Sequence, residues 1–119
     1  MVQQTMVSLR TPKTEQKYAE YLRKNTANGR CALCEKDPIH EFVYWRIVGN
    51  IFPYDKIATR HDMLQTIRHV GVNELNGEEK DELSDIKNRL DGYDYIIESL
   101  PGNSSIPDHF HIHLVNLKP

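Results

Sequence analysis

The chain has 119 residues, 39% of them hydrophobic and 27% charged, and carries a formal charge of −2. This suits a single globular core and excludes disordered and fibrous classes. The charge is near neutral with no run of Lys or Arg, no apolar stretch reaches membrane-spanning length, and the N-terminus lacks an apolar signal core, so the expectation is a cytoplasmic protein without a nucleic-acid duplex or membrane as partner.

Residues 1–10 show no periodicity and read as a loose arm or an edge strand. Thr11-Pro12 predicts a helix start, with Thr as N-cap and Pro at the first helical position, where its missing N–H costs nothing. Tyr18, Tyr21 and Leu22 fall on one side of this helix, and Asn28-Gly29 supplies its stop. The two cysteines follow as Cys31-Ala32-Leu33-Cys34. In a cytosolic chain such a pair suits metal binding or redox chemistry better than a structural disulfide. Pro38 weakens the redox reading, because a redox CxxC opens a helix that Pro38 would cut short.

Phe42–Val48 is β-branched and aromatic, ends at Gly49, and predicts a strand. Asn50–Asp55 reads as a loop and His61–Arg68 as a weaker strand. Asn76 with Glu79 three residues on forms a capping-box pattern ahead of a helix carrying Leu83, Ile86 and Leu90 on one face and stopping at Gly92. Tyr93–Ser99 reads as a further strand and Pro101–Ser105 as a turn. Helix, strands, helix, strands gives an α+β domain with an antiparallel sheet.

The most informative stretch is Pro107-Asp-His109-Phe-His111-Ile-His113-Leu-Val115. In a strand, alternate residues share a face, so His109, His111 and His113 line up while Phe110, Ile112 and Leu114 turn to the core. Neighbours on that face lie roughly 6.5–7 Å apart, which puts the outer pair about 13 Å apart, too far to share one metal ion. His40, His61 and His69 complete the histidines. Cys31 and Cys34 could bind zinc with two of the six, but the residues do not single out which, so alone they leave zinc open.

His109 to Val115 resembles the His-φ-His-φ-His-φ-φ signature of the histidine triad family of nucleotide hydrolases and transferases. His61 and His69, eight positions apart, resemble the upstream strand of that family with a histidine at each end. Asn50-Ile-Phe-Pro53 and Ser105 resemble its loop before that strand and its serine before the triad. The likeness spans roughly residues 31–117. It implies a HIT-like fold of about five antiparallel strands and two main helices. Residues 1–30 form an arm and helix ahead of a domain at 31–119, within one globular unit.

The resemblance further implies that His111 attacks the α-phosphorus of a nucleoside monophosphate ester, anhydride or amide. His113 and His61 would hold phosphate oxygens and orient the imidazole. Ser105 and Ser104 would help to bind the phosphate, and Asn50 the ribose or a phosphate oxygen. In the zinc-binding bacterial-type branch, a structural zinc takes the ligands that match Cys31, Cys34, His69 and His109. The implied partners are a nucleotide or nucleoside-phosphate derivative and a second copy in a homodimer. The chain departs from the family at Arg60 and Ile67, where Gly and Pro are common. Two other readings remain: a non-catalytic nucleotide sensor, and a metal-dependent hydrolase with an ion on His111 and His113 plus Asp108 or His61.

Overall fold

A computed structural model of the chain describes residues 8–26, 31–104 and 106–119. Helix α1 spans Pro12–Thr26 and α2 Gly77–Arg89; the strands are β1 Pro38–Glu41, β2 Trp45–Gly49, β3 Ala58–Thr66, β4 Tyr95–Ile97 and β5 His111–Leu117. The strands form one antiparallel sheet in the order β1-β2-β3-β5-β4. This is the α+β architecture that the element order implies.

The period-two pattern sorts the two faces of the sheet. Trp45, Ile47, Leu64, Ile112 and Leu114 turn to one side and, with Ile86 of α2, form the main core. The other side buries Val48 and Met63 against Leu33. His61, Gln65 and His113 are buried polar residues, and they share this second face because Met63 stands opposite His113 and Gln65 opposite His111 in the β3–β5 register.

Helix α2 begins as its sequence predicts. Glu79 N–H donates to Asn76 Oδ1 at 2.8 Å, and Asn76 N–H donates to Glu79 Oε1 at 2.9 Å. The buried Glu79 carboxylate also takes Arg68 Nη2 at 2.6 Å, and the Trp45 indole N–H donates to its carbonyl at 2.9 Å. The bonds from Arg68 and from the Asn76 N–H satisfy a buried charge that would otherwise be costly. The helix ends at Arg89 rather than running to Gly92; Gly92 instead reverses the chain at φ +91°.

Four strand boundaries differ from the expectation. Phe42–Tyr44 forms the turn between β1 and β2, because the α2 carboxylate of Glu82 takes the Val43 and Tyr44 N–H groups at 3.2 and 2.7 Å. The segment read as the weaker strand becomes β3, nine residues long, since it pairs on both sides. Tyr93–Ser99 contracts to Tyr95–Ile97. The histidine strand starts at His111, so His109 lies before it. Phe110 N–H donates to Val70 O at 2.7 Å and so leaves the β5 ladder. The turn at Pro101–Ser105 holds a 3-10 helix at Pro101–Asn103. The Asn28-Gly29 stop of the first helix falls outside the described residues.

Helix α1 is fastened to the loop before β3. Thr11 donates its N–H to Asp55 Oδ1 at 2.7 Å and its hydroxyl to Oδ2 at 3.0 Å, and the Thr14 hydroxyl donates to Oδ2 at 2.6 Å. Tyr18 and Tyr21 pack on Phe52 with ring centroids 5.4 and 5.1 Å apart. The helix therefore lies beside the histidine face.

Candidate functional site

The CxxC turn, the end of β3 and the approach to β5 bring four ligand-type side chains together. One donor atom from each of Cys31, Cys34, His69 and His109 lies within 4.8 Å of the others. Cys34 Sγ is 3.2 Å from His69 Nδ1 and 3.4 Å from His109 Nδ1, and Cys31 Sγ is 3.5 Å from His109 Nδ1. Tetrahedral zinc with bonds near 2.0–2.3 Å sets its ligand atoms about 3.3–3.8 Å apart, so the residues fit a metal ion. His109 Nε2–H donates to Thr66 O at 2.6 Å, which fixes the tautomer and turns the Nδ1 lone pair toward the sulfurs. Arg46 and Gln65 hold the turn from below, each donating to Leu33 O at 2.9 Å. Burial pushes the Cys34 thiol up to about 11.

His111 is separate from that cluster. Its Nδ1–H donates to the His109 carbonyl at 2.9 Å. Burial lowers its pKa, so the ring is neutral and Nε2 keeps its lone pair. The residue borders a groove of about 570 Å³ that is lined also by His113, Tyr54, Arg10, Ser99 and Ser104. That volume accommodates a small organic ligand.

Behind His111 the hydrogen bonds have a determined direction. Tyr54 N–H donates to His61 Nδ1 at 2.9 Å. Burial lowers His61 to about 4 and His113 to about 2, so both rings are neutral at pH 7. A neutral His61 that accepts at Nδ1 carries its proton on Nε2, and it donates that proton to His113 Nδ1 at 2.7 Å. The same logic places the His113 proton on Nε2, which donates to the Tyr54 hydroxyl oxygen at 3.0 Å. The chain of bonds starts and ends on Tyr54.

Arg10 supplies the nearby positive charge. Its Nε donates to Phe52 O at 2.7 Å, and its guanidinium lies 4.1 Å over Tyr18 and 4.8 Å over Tyr54. Its charge adds to burial in lowering the pKa of His61, His111 and His113. Lys36, lowered by burial, lines the adjoining cleft with Asn50 and Phe52.

No family model and no curated protein matches the sequence. Among solved structures, the chain is similar to a HIT family hydrolase from Legionella pneumophila Philadelphia 1, at 18% identity and a TM-score of 0.53, over 73% of this chain and 92% of that one. The fold is HIT-like. Within it, His111 and His113 lie on the inner strand β5 and His61 on its neighbour β3.

The geometry gathers His61, His111 and His113 at one place and Cys31, Cys34, His69 and His109 at another, a grouping that the resemblance implied and the alternating pattern did not. Ser104 lines the groove; Ser105 falls outside the described residues. Asn50 is committed within its own loop, its Oδ1 accepting from Phe52 N–H at 2.8 Å and its amide nitrogen lying 3.4 Å from His61 Nδ1. Asp108 is exposed. Among the aromatics nearby in sequence, Trp45 is in the opposite core, Tyr44 bonds to Glu78, and Phe52 borders the cleft. Sequence reading missed Tyr54, Arg10 and Lys36. Arg10 lies in a segment without periodicity, and Tyr54 reads as one more loop aromatic, so neither carried a local signal.

Proposed function

We propose that the protein is a nucleotide hydrolase or nucleotidyl transferase that works through a nucleotidyl-histidine on His111. The observation that carries this reading is the His111 ring itself: Nδ1–H is held by the His109 carbonyl, and the lone pair on Nε2 is left for the groove. An imidazole so oriented is a nucleophile, and a covalent intermediate splits phosphoryl transfer into two easier steps. Arg10 and groove N–H groups would offset charge developing on the phosphorus oxygens. Ser104 and Ser105 would bind phosphate, Asn50 would border the nucleoside, and His61 and His113 would fix the geometry behind the nucleophile.

Cys31, Cys34, His69 and His109 would hold a structural zinc ion, which would lock the CxxC turn to the strand carrying His111. Zinc there supplies rigidity rather than chemistry on the substrate. Residues 31–119 would form the catalytic domain, with α1 of the preceding segment closing its side, and two copies would pair as a homodimer.

The test is phosphorus NMR of the purified protein with an adenosine phosphoramidate, an adenylyl sulfate and a dinucleoside polyphosphate, beside His111→Ala. AMP release by wild type and none by the variant, with fold and zinc content retained, is the expected result; undiminished turnover by the variant would sink the proposal. The engagement of Asn50 within its loop favours a second reading, a nucleotide sensor, which predicts line broadening of the nucleotide without turnover. A catalytic ion on His111 and His113 finds no lone pair on His113, whose Nδ1 accepts from His61 and whose Nε2–H donates to Tyr54.

A further inference from the structure

Holding phosphate oxygens, the role the resemblance implies for His61 and His113, meets a stereochemical obstacle. Both nitrogens of His61 are engaged, Nδ1 by the Tyr54 N–H and Nε2 by His113, and both nitrogens of His113 are engaged, Nδ1 by His61 and Nε2 by the Tyr54 hydroxyl. Both side chains are buried, at 5% and 4% exposure, as is Tyr54 at 8%, so it is the donor left over and not exposure that separates them. Neither ring has a donor left for a substrate. The hydroxyl of Tyr54 does: its oxygen accepts from His113 and from Ser99, which leaves its own hydrogen to be given away, and the residue borders the groove beside His111.

We infer that the Tyr54 hydroxyl, rather than His113, is the general acid that protonates the leaving group. This rests on the nucleotidyl-histidine reading above. In the first step, the His111 Nε2–P bond forms and the bond from phosphorus to the leaving oxygen breaks. The electron pair goes to that oxygen, which takes the Tyr54 proton. The phenolate left behind is held by His113 Nε2–H and faces the Arg10 guanidinium, 4.8 Å from the ring. In the second step, a water oxygen bonds to phosphorus and the N–P bond breaks. Its electron pair returns to Nε2, and one water proton goes to the phenolate, restoring Tyr54. His61 and His113 thus act as positioning residues for an acid they do not themselves supply.

The groups that face Tyr54 set its readiness to give the proton. Burial raises its pKa, Glu15 and Tyr18 add to that, and Arg10 and a hydrogen bond from Ser99 oppose it. His61 and His113 stack on its ring at 4.3 and 4.7 Å as neutral groups. An acid this weak helps most where the leaving oxygen is a strong base, and little where it departs unaided.

The decisive experiment compares wild type and Tyr54→Phe on the methyl, phenyl and 4-nitrophenyl esters of AMP. Phe keeps the ring packing and removes the proton. The expected result is a loss of about 100-fold or more in kcat/KM on the methyl ester and under about 3-fold on the 4-nitrophenyl ester. An equal loss on all three esters would overturn the inference and leave Tyr54 a structural contact, with the nucleotidyl-histidine reading intact. So would leaving-group dependence in His113→Asn but not in Tyr54→Phe. Inactivity of wild type on every ester would overturn both readings together. Independently of turnover, nitrogen-15 NMR at pH 7 should find His113 protonated on Nε2; protonation on Nδ1 would break the chain of bonds and the inference with it.

Discussion

At the scale of single residues, burial holds His61 and His113 in the same neutral state. His61 and His113 have folded values of about 4 and about 2 against an ordinary 6.5. Folded values below the unfolded one mean that the unfolded chain takes up protons first, so stability is complete above about pH 6.5 and falls below it. Each group contributes about 1.4 kcal/mol per pH unit in that range, so unfolding free energy is expected to drop by up to about 4 kcal/mol between pH 6.5 and 5. Urea denaturation at pH 7, 6 and 5 measures this, and His113→Asn should make the slope shallower. A flat profile would contradict two buried neutral rings. Asp55, held down to about 2 chiefly by the Thr14 hydroxyl, acts in a separate window: its contribution is present above its ordinary 3.8 and is lost only as pH falls toward 2.

Among the elements, the CxxC turn and α2 depend on different physics. The turn buries Ala32 and Leu33, with Cys31 packed on the Leu33 cluster, and the carbonyls at its centre are tied by Arg46 and Gln65, but among the described residues the four ligand-type side chains meet only one another at the cluster. Its order should therefore rest on the metal. Purified protein is expected to contain about one zinc per chain, and Cys34→Ala close to none, with a melting temperature several degrees lower; metal analysis beside calorimetry checks both. Helix α2 needs no ion. Its start is fixed by the reciprocal Asn76–Glu79 bonds, so Asn76→Ala should cost about 1 kcal/mol in urea denaturation. The site should be unaffected, since α2 packs on the far face of the sheet.

For the whole molecule, the question is what α1 contributes. One carboxylate, Asp55, takes three hydrogen bonds from the start of that helix, and Arg10 just before it reaches across to Phe52 and Tyr54. Asp55→Ala should release the helix start from the loop while leaving sheet and zinc cluster in place. Faster proteolysis within residues 8–26 and a KM raised more than kcat is lowered are the expected results. An unchanged cleavage pattern would show that Tyr18, Tyr21 and Phe52 suffice to hold the helix.

The sequence alone determined whatever depends on neighbours a few residues apart. The alternation of His111, Ile112, His113 and Leu114 fixes which side chains meet the core, because strand geometry has a period of two. The Asn76–Glu79 box fixes a helix start, and Thr11-Pro12 another. Family resemblance added the grouping of Cys31, Cys34, His69 and His109, which the fold brings within ligand distance. Other features were decided by contacts between distant segments. The strand read at Phe42–Val48 begins only at Trp45 because a carboxylate on α2, about forty positions later, takes the N–H groups before it. His109 leaves the ladder because Phe110 bonds to Val70. Tyr54 meets His113 across fifty-nine positions, and Arg10 meets Phe52 across forty-two. No local pattern records such pairs, since hydrogen-bond direction and burial arise only once the sheet has closed and set one residue's proton against another's lone pair.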